Sequence, residues 1–153
     1  MNKSTFYVYY YDKYDLLDQV ENMLLEGLRE IEDEVPFDLV IKDGIGEELL
    51  SFTERYLRYM YECGELFALF INDDYCGATF MNKNREAVMT LWKDKGIFNR
   101  MTIPQTYAVA ALIGTANSLV FEWAKNGFQE TPEEFTDIYR KIVGTILQSI
   151  FKH

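Results

Sequence analysis

The chain has 153 residues, 48% apolar and 26% charged, with 11 Phe, 11 Tyr, two Trp, nine Gly and three Pro. That is enough for one domain with a real core, and it excludes collagen-like, low-complexity and disordered classes. A net charge of −10 and a pI near 4.6 repel phosphate backbones, so nucleic-acid contact would need a local patch or a further segment.

Thr5 to Tyr11, TFYVYYY, has strand propensity, but no partner strand exists elsewhere to pair its backbone. From Asp12 the pattern is helical. Leu17, Val20, Leu24, Leu28 and Ile31 recur at spacings of three and four, with Leu16 and Met23 widening the stripe. Val35-Pro36 stops that helix, and a loop is expected through Lys42-Asp43-Gly44. Leu49, Phe52, Tyr56, Leu57 and Met60 mark a second helix ending near Cys63-Gly64, followed by a short apolar turn from Leu66 to Ile71.

A third long helix is expected from about Asp74 to Lys95, with Gly96 as its C-terminal stop. Pro104 suits the first turn of the next helix, which closes at Asn126-Gly127. Thr131-Pro132-Glu133-Glu134 reads as a capping box, ahead of an apolar stripe from Phe135 to Ile150. Six helices and no sheet make an all-α fold.

Cys63 and Cys76 fit no zinc or redox spacing and read as buried thiols of a reducing, cytoplasmic compartment. The single histidine, His153, leaves no internal His triad, His-ligated zinc or Glu-x-x-His di-iron pattern. No signal peptide is visible. Met101 to Phe121 is uncharged, but Pro104, Gln105, Thr115, Asn117 and Ser118 interrupt it, so a buried helix is expected rather than a membrane span. Asp43-Gly44-Ile45-Gly46 lacks the strand a nucleotide loop needs, and the Glu30/Glu34 pair reads as a solvated face. No enzyme, cofactor or metal is expected.

Asn2 to Leu17, NKSTFYVYYYDKYDLL, resembles the end of the helix-turn-helix in the TetR (tetracycline-repressor-like) family. Thr5-Phe6-Tyr7, Tyr10, Lys13, Leu16 and Leu17 occupy the places of the family pattern. Gly114 to Glu134, with Glu122-Trp123, Asn126-Gly127-Phe128 and Thr131-Pro132-Glu133-Glu134, is similar to the C-terminal signature of the dihydroxyacetone-kinase-regulator subgroup. The resemblance implies a TetR-like C-terminal helical bundle with a remnant recognition helix at the N-terminus. Residues 1–11 would be that remnant, and residues 12–153 an effector-binding and dimerisation domain. The chain starts at the third of the family's three DNA-binding helices. Residues 1–35 hold three basic and nine acidic residues, so tight operator binding by this chain alone is not expected.

The implied function is ligand-responsive transcriptional regulation. The alternative is a co-regulator or adaptor that works through protein contacts. In a complete family member, Asn2, Lys3, Thr5, Tyr7 and Tyr9 would lie near operator DNA, with Lys13 at the following helix start. An effector cavity is implied between Glu47 and Lys95. Periodicity turns Tyr56, Tyr59, Met60, Phe67, Phe70, Met89 and Trp92 inward there, a lining suited to a small hydrophobic or aromatic effector, or simply a core. Ala110, Gly114 and Ser118 form a small-residue stripe on the penultimate helix. With Ile138, Ile142 and Ile146 of the last helix it would form a homodimer face, unless the same stripe packs within the chain.

Overall fold

In the computed structural model the described residues are 13–151, so the aromatic run Thr5 to Tyr11 lies outside them. Seven α-helices are described: α1 (Lys13–Asp33), α2 (Phe37–Asp43), α3 (Glu47–Glu62), α4 (Gly64–Ile71), α5 (Asp74–Asp94), α6 (Gln105–Lys125) and α7 (Pro132–Ile150). A 3-10 turn, Ile97–Arg100, joins α5 to α6. The described residues form no sheet, only one isolated antiparallel bridge between Met101 and Phe151. Beside that bridge the Thr102 amide donates to the Ile150 carbonyl at 2.7 Å, tying the approach to α6 to the end of α7. The fold is all-α.

Local chemistry sets the helix ends. Thr131 Oγ1 accepts from the Glu134 amide at 3.2 Å, and Glu134 Oε2 accepts from the Thr131 amide at 2.9 Å, the reciprocal cap expected at α7. Asp73 caps α5 by accepting from the Cys76 amide at 3.0 Å. That bond to the helix amide holds the Asp73 carboxyl below its ordinary pKa. Gly96 ends α5 in the left-handed conformation, φ 67°.

Two stretches read as irregular are helical. The expected loop after Pro36 is α2, started by proline's fixed φ and stopped at Gly44, φ 65°. A side chain at Gly44 would be strained by that φ, and its Cβ would meet the Gly144 carbonyl oxygen at 2.8 Å. The α2–α3 turn therefore lies directly on α7. The apolar turn at Leu66 to Ile71 is the eight-residue α4, whose Phe67 and Phe70 are fully buried.

The helices close around one core, with α3 packed on α7, α1 on α3 and α5, α4 on α5 and α6, and α6 on α7. Leu24, Leu28, Leu57, Phe67, Phe70 and Trp123 are at most 1% exposed. Met23, expected in the α1 stripe, is exposed, and Leu25 is buried on the other side of Leu24 instead. Phe80 stacks on Phe70, meets Phe67 edge-on and reaches Phe121 of α6. Two residues on, Trp123 stacks on Phe135 with centroids 4.1 Å apart and takes Phe128 edge-on at 4.9 Å. The Trp123 indole donates to the Glu130 carbonyl at 3.0 Å. Phe128 stands at φ 55°, a conformation rare outside glycine, and follows Gly127 at φ 78°. The Trp, Asn-Gly-Phe and Thr-Pro-Glu-Glu segments thus build the corner between α6 and α7.

Cys63 and Cys76 are free thiols, Cys76 buried and Cys63 half-buried. Among the described residues no helix is long and apolar enough to cross a membrane. The uncharged stretch is α6, where the polar side chains interrupting it include Asn117, buried in the bundle.

Candidate functional site

A cavity of about 190 Å³ lies in the middle of the bundle, between α1, α2, α3, α5, α6 and α7. Its apolar wall includes Phe52 of α3, Val88 and Trp92 of α5, Ala116 of α6, and Val143 of α7. For comparison, an apolar cavity of about 150 Å³ is enough to take up benzene. The space fits one aromatic ring with a small substituent.

Six polar side chains border this apolar space: Glu32 from α1, Thr53 and Tyr56 from α3, Asn84 from α5, Asn117 from α6 and Tyr139 from α7, the Thr53 hydroxyl being spent on the Leu49 carbonyl of its own helix at 3.0 Å. Asn84 Nδ2 donates to Asn117 Oδ1 at 3.2 Å, a buried bond that ties α5 to α6 across the cavity wall. The Tyr56 hydroxyl stands beside the Glu32 carboxyl. Burial pushes the Glu32 carboxyl up to about 7, the neighbouring Asp33 adding to the rise and Arg29 and the Tyr56 bond opposing it. Burial, then the Glu32 charge, pushes the Tyr139 hydroxyl above its ordinary pKa. The same two causes raise Tyr56 further still, with Tyr139 and the bond to Glu32 adding to them.

Among the described residues no lysine, arginine or histidine lines this cavity. Arg29 turns instead to the outer groove between α1 and α5, which it shares with Lys83 and Glu86. Glu32 forms no ion pair among the described residues. The other carboxylate on the inner face of α1, Glu21, is treated differently. It is buried, yet Lys83 of α5 reaches it at 3.1 Å. Burial lifts the Glu21 carboxyl and the Lys83 ammonium offsets part of the rise.

Of the side chains expected in an effector pocket, Tyr56 and Trp92 line the cavity. Met60, Phe67 and Phe70 are solid core away from it. Tyr59 packs over Gly27 and donates its hydroxyl to the Leu24 carbonyl at 3.3 Å, with burial pushing that hydroxyl up to about 12. Met89 lines a shallow outer concavity with Phe98 and Gln105. Glu32, Asn84, Asn117 and Tyr139 were not singled out from the sequence. The signal was available for three of them, since each interrupts an apolar series: Leu25–Leu28–Glu32, Phe80–Asn84–Val88 and Ile113–Asn117–Val120.

The expected dimer stripe lies on the outside of the bundle. Ala110 and Ser118 are exposed, Gly114 is half-buried, and a Cβ placed on Gly114 would meet nothing within 4 Å. On α7, Ile138 and Ile142 are 39% and 40% exposed and Ile146 is half-buried. Tyr107, two turns before Gly114 on the same side of α6, is 69% exposed.

Of the expected DNA-contacting residues, Asn2, Lys3, Thr5, Tyr7 and Tyr9 lie outside the described residues. Lys13 is exposed at the start of α1, with its ammonium 5.6 Å from the centre of the Tyr14 ring. Among the described residues no group of acidic, Cys or His side chains is arranged to hold a metal ion. Glu30 and Glu34 are both exposed, Glu34 pairing with Arg55 at 2.7 Å. No protein-family model matches the chain, and neither a curated protein nor a solved structure matches it.

Proposed function

We propose that this chain is the effector-binding and dimerisation part of a TetR-type, ligand-responsive transcriptional regulator. The observation that carries the reading is the central cavity, two of whose walls are the helices that present the free stripe. A molecule in the cavity touches Ala116 and Asn117 on α6 and Tyr139 and Val143 on α7. The opposite sides of those helices carry Gly114 and Ile138, through which a second copy would dock about a twofold axis. Ligand occupancy and the angle between two protomers are therefore linked through the same two helices.

α1 provides the outward path. It runs without interruption from Lys13 to Asp33, so Glu32 in the cavity stands about 28 Å along a rigid rod from the helix start. A shift at the cavity end would be carried to the segment resembling a recognition helix. The ligand acts by favouring one of two protomer arrangements, and it does so only to the extent that it binds one of them more tightly.

The second reading, an adaptor without operator binding, is favoured by the acidic balance of residues 1–35. A mobility-shift titration separates the two, using the gene product as encoded, any in-frame upstream residues included, against the DNA upstream of its own gene. A regulator retards that DNA, with affinity falling by orders of magnitude between about 50 and 200 mM salt. No retardation at the lowest salt would overturn the regulator reading in favour of the adaptor.

A further inference from the structure

We infer that the cavity takes a cationic ligand, a small aromatic or branched apolar molecule with one ammonium group set against Glu32. The inference rests on reading this cavity as the effector site and specifies its chemistry.

The cavity is built for an apolar body, yet its one carboxyl has no ion-pair partner among the described residues. Among the described residues the charged and titratable groups around Glu32 are Arg29 and Asp33 on its own helix, Tyr56 on α3, Tyr139 on α7 and Lys95 just past α5, whose ammonium is held by the Asp33 carbonyl at 3.1 Å; the stretches of α5 and α6 that line the cavity are neutral. Arg29 and Asp33 oppose each other in sign, and Arg29 lies in the outer groove. Glu21, by contrast, lies on the same face of α1 and has Lys83. The fold therefore supplies a partner for one buried carboxylate and withholds it from the other, the one that borders open space.

A carboxylate in that position repels a carboxylate or phosphate ligand, and a purely apolar ligand would leave it desolvated and unpaired. An ammonium supplies the missing charge, and the Tyr56 and Trp92 rings beside it offer the electron-rich faces that attract such a cation. The overall charge of −10 draws cations towards the molecule from a distance.

The test uses two probes of nearly the same shape, benzyltrimethylammonium and neopentylbenzene, in which carbon replaces the charged nitrogen. Binding of each is measured by calorimetry on the wild-type protein and on Glu32→Gln at pH 8, and on the wild type again at pH 5.5. We expect the cation to lose tenfold or more in affinity in E32Q, and about as much in the wild type on acidification, while the neutral probe changes less than twofold. If the neutral probe binds and the cation either fails to bind or ignores both changes, the charge assignment is overturned while the cavity stands as an apolar binding site. If neither probe binds, the effector reading of the cavity falls with it. The wild-type pH series needs no substitution, so the outcome does not depend on how E32Q folds.

Discussion

Glu32→Gln should make the ligand-free protein more stable at pH 8 and leave it unchanged at pH 4. The physical reason is linkage. In the unfolded chain the Glu32 carboxyl titrates near 4.5, and burial in the cavity raises it to about 7. Between those values the folded protein binds a proton that the unfolded chain has lost. Stability from this group is therefore fully present below about 4.5, falls as the pH rises, and is lost above about 7. The shift amounts to on the order of 2 kcal/mol once the solvent reaching a half-buried side chain is allowed for.

Glutamine keeps the shape of the neutral acid and never ionises, so it removes the loss. Urea melts at pH 8 should show E32Q more stable by about that amount, or melting about 4–8 °C higher. The two proteins should converge by pH 4. Parallel profiles, or a less stable variant at pH 8, would mean that the carboxylate is not desolvated in solution. The natural protein would carry this burden at neutral pH only if the charge has a use, and a ligand that pairs with it provides one.

The second large effect concerns assembly. If two copies dock through α6 and α7 as proposed, Gly114→Leu should leave the protomer folded and weaken the dimer. No atom lies within 4 Å of where the new Cβ would stand, and a leucine on the outer face of α6 replaces the residue least suited to a helix interior. In a twofold interface the added bulk enters twice. Overpacking at about 1–3 kcal/mol per site then weakens the dimer by about 2 kcal/mol at the least, roughly 30-fold in Kd. Sedimentation equilibrium would read the change as a shift towards the 18.0 kDa protomer, with circular dichroism unaltered. An unchanged dimer would place the contact elsewhere. A collapsed helical spectrum would show that Gly114 is buried in a way the fold does not allow.

The helices were legible in the sequence wherever an apolar stripe and a cap agreed. The Thr131 box, Gly96 after α5 and the Leu24–Leu28 series each lie where periodicity places them. α2 was not legible, because seven residues hold too few turns to show a period and Asp43-Gly44 dominates their appearance. Met23 fell outside the core because the α1 stripe turns towards Leu25 as the helix packs on both α3 and α5.

The cavity was legible only in outline. Tyr56 and Trp92 could be drawn from the inward face of their helices, but periodicity does not distinguish a side chain that fills the core from one that borders a void. Phe67, Phe70 and Met60 have the same spacing and the opposite fate. Polar interruptions of apolar stripes were the better indicator. Glu32, Asn84 and Asn117 each break such a series at the cavity, while Glu21 breaks one where Lys83 awaits it. Tyr139 keeps its stripe, and only the packing of α7 on α3 and α6 shows that it borders the same cavity as Glu32.

Whether this bundle receives a small molecule is decided most directly by titrating the isotope-labelled protein with toluene and following its methyl and indole resonances by NMR. We expect saturable shifts confined to the groups around the cavity, Val88, Trp92, Val143 and the Ala116 methyl among them, that vanish when Ala116→Trp fills the space. Resonances that stay fixed to the limit of toluene solubility, or that move equally in A116W, would contradict it.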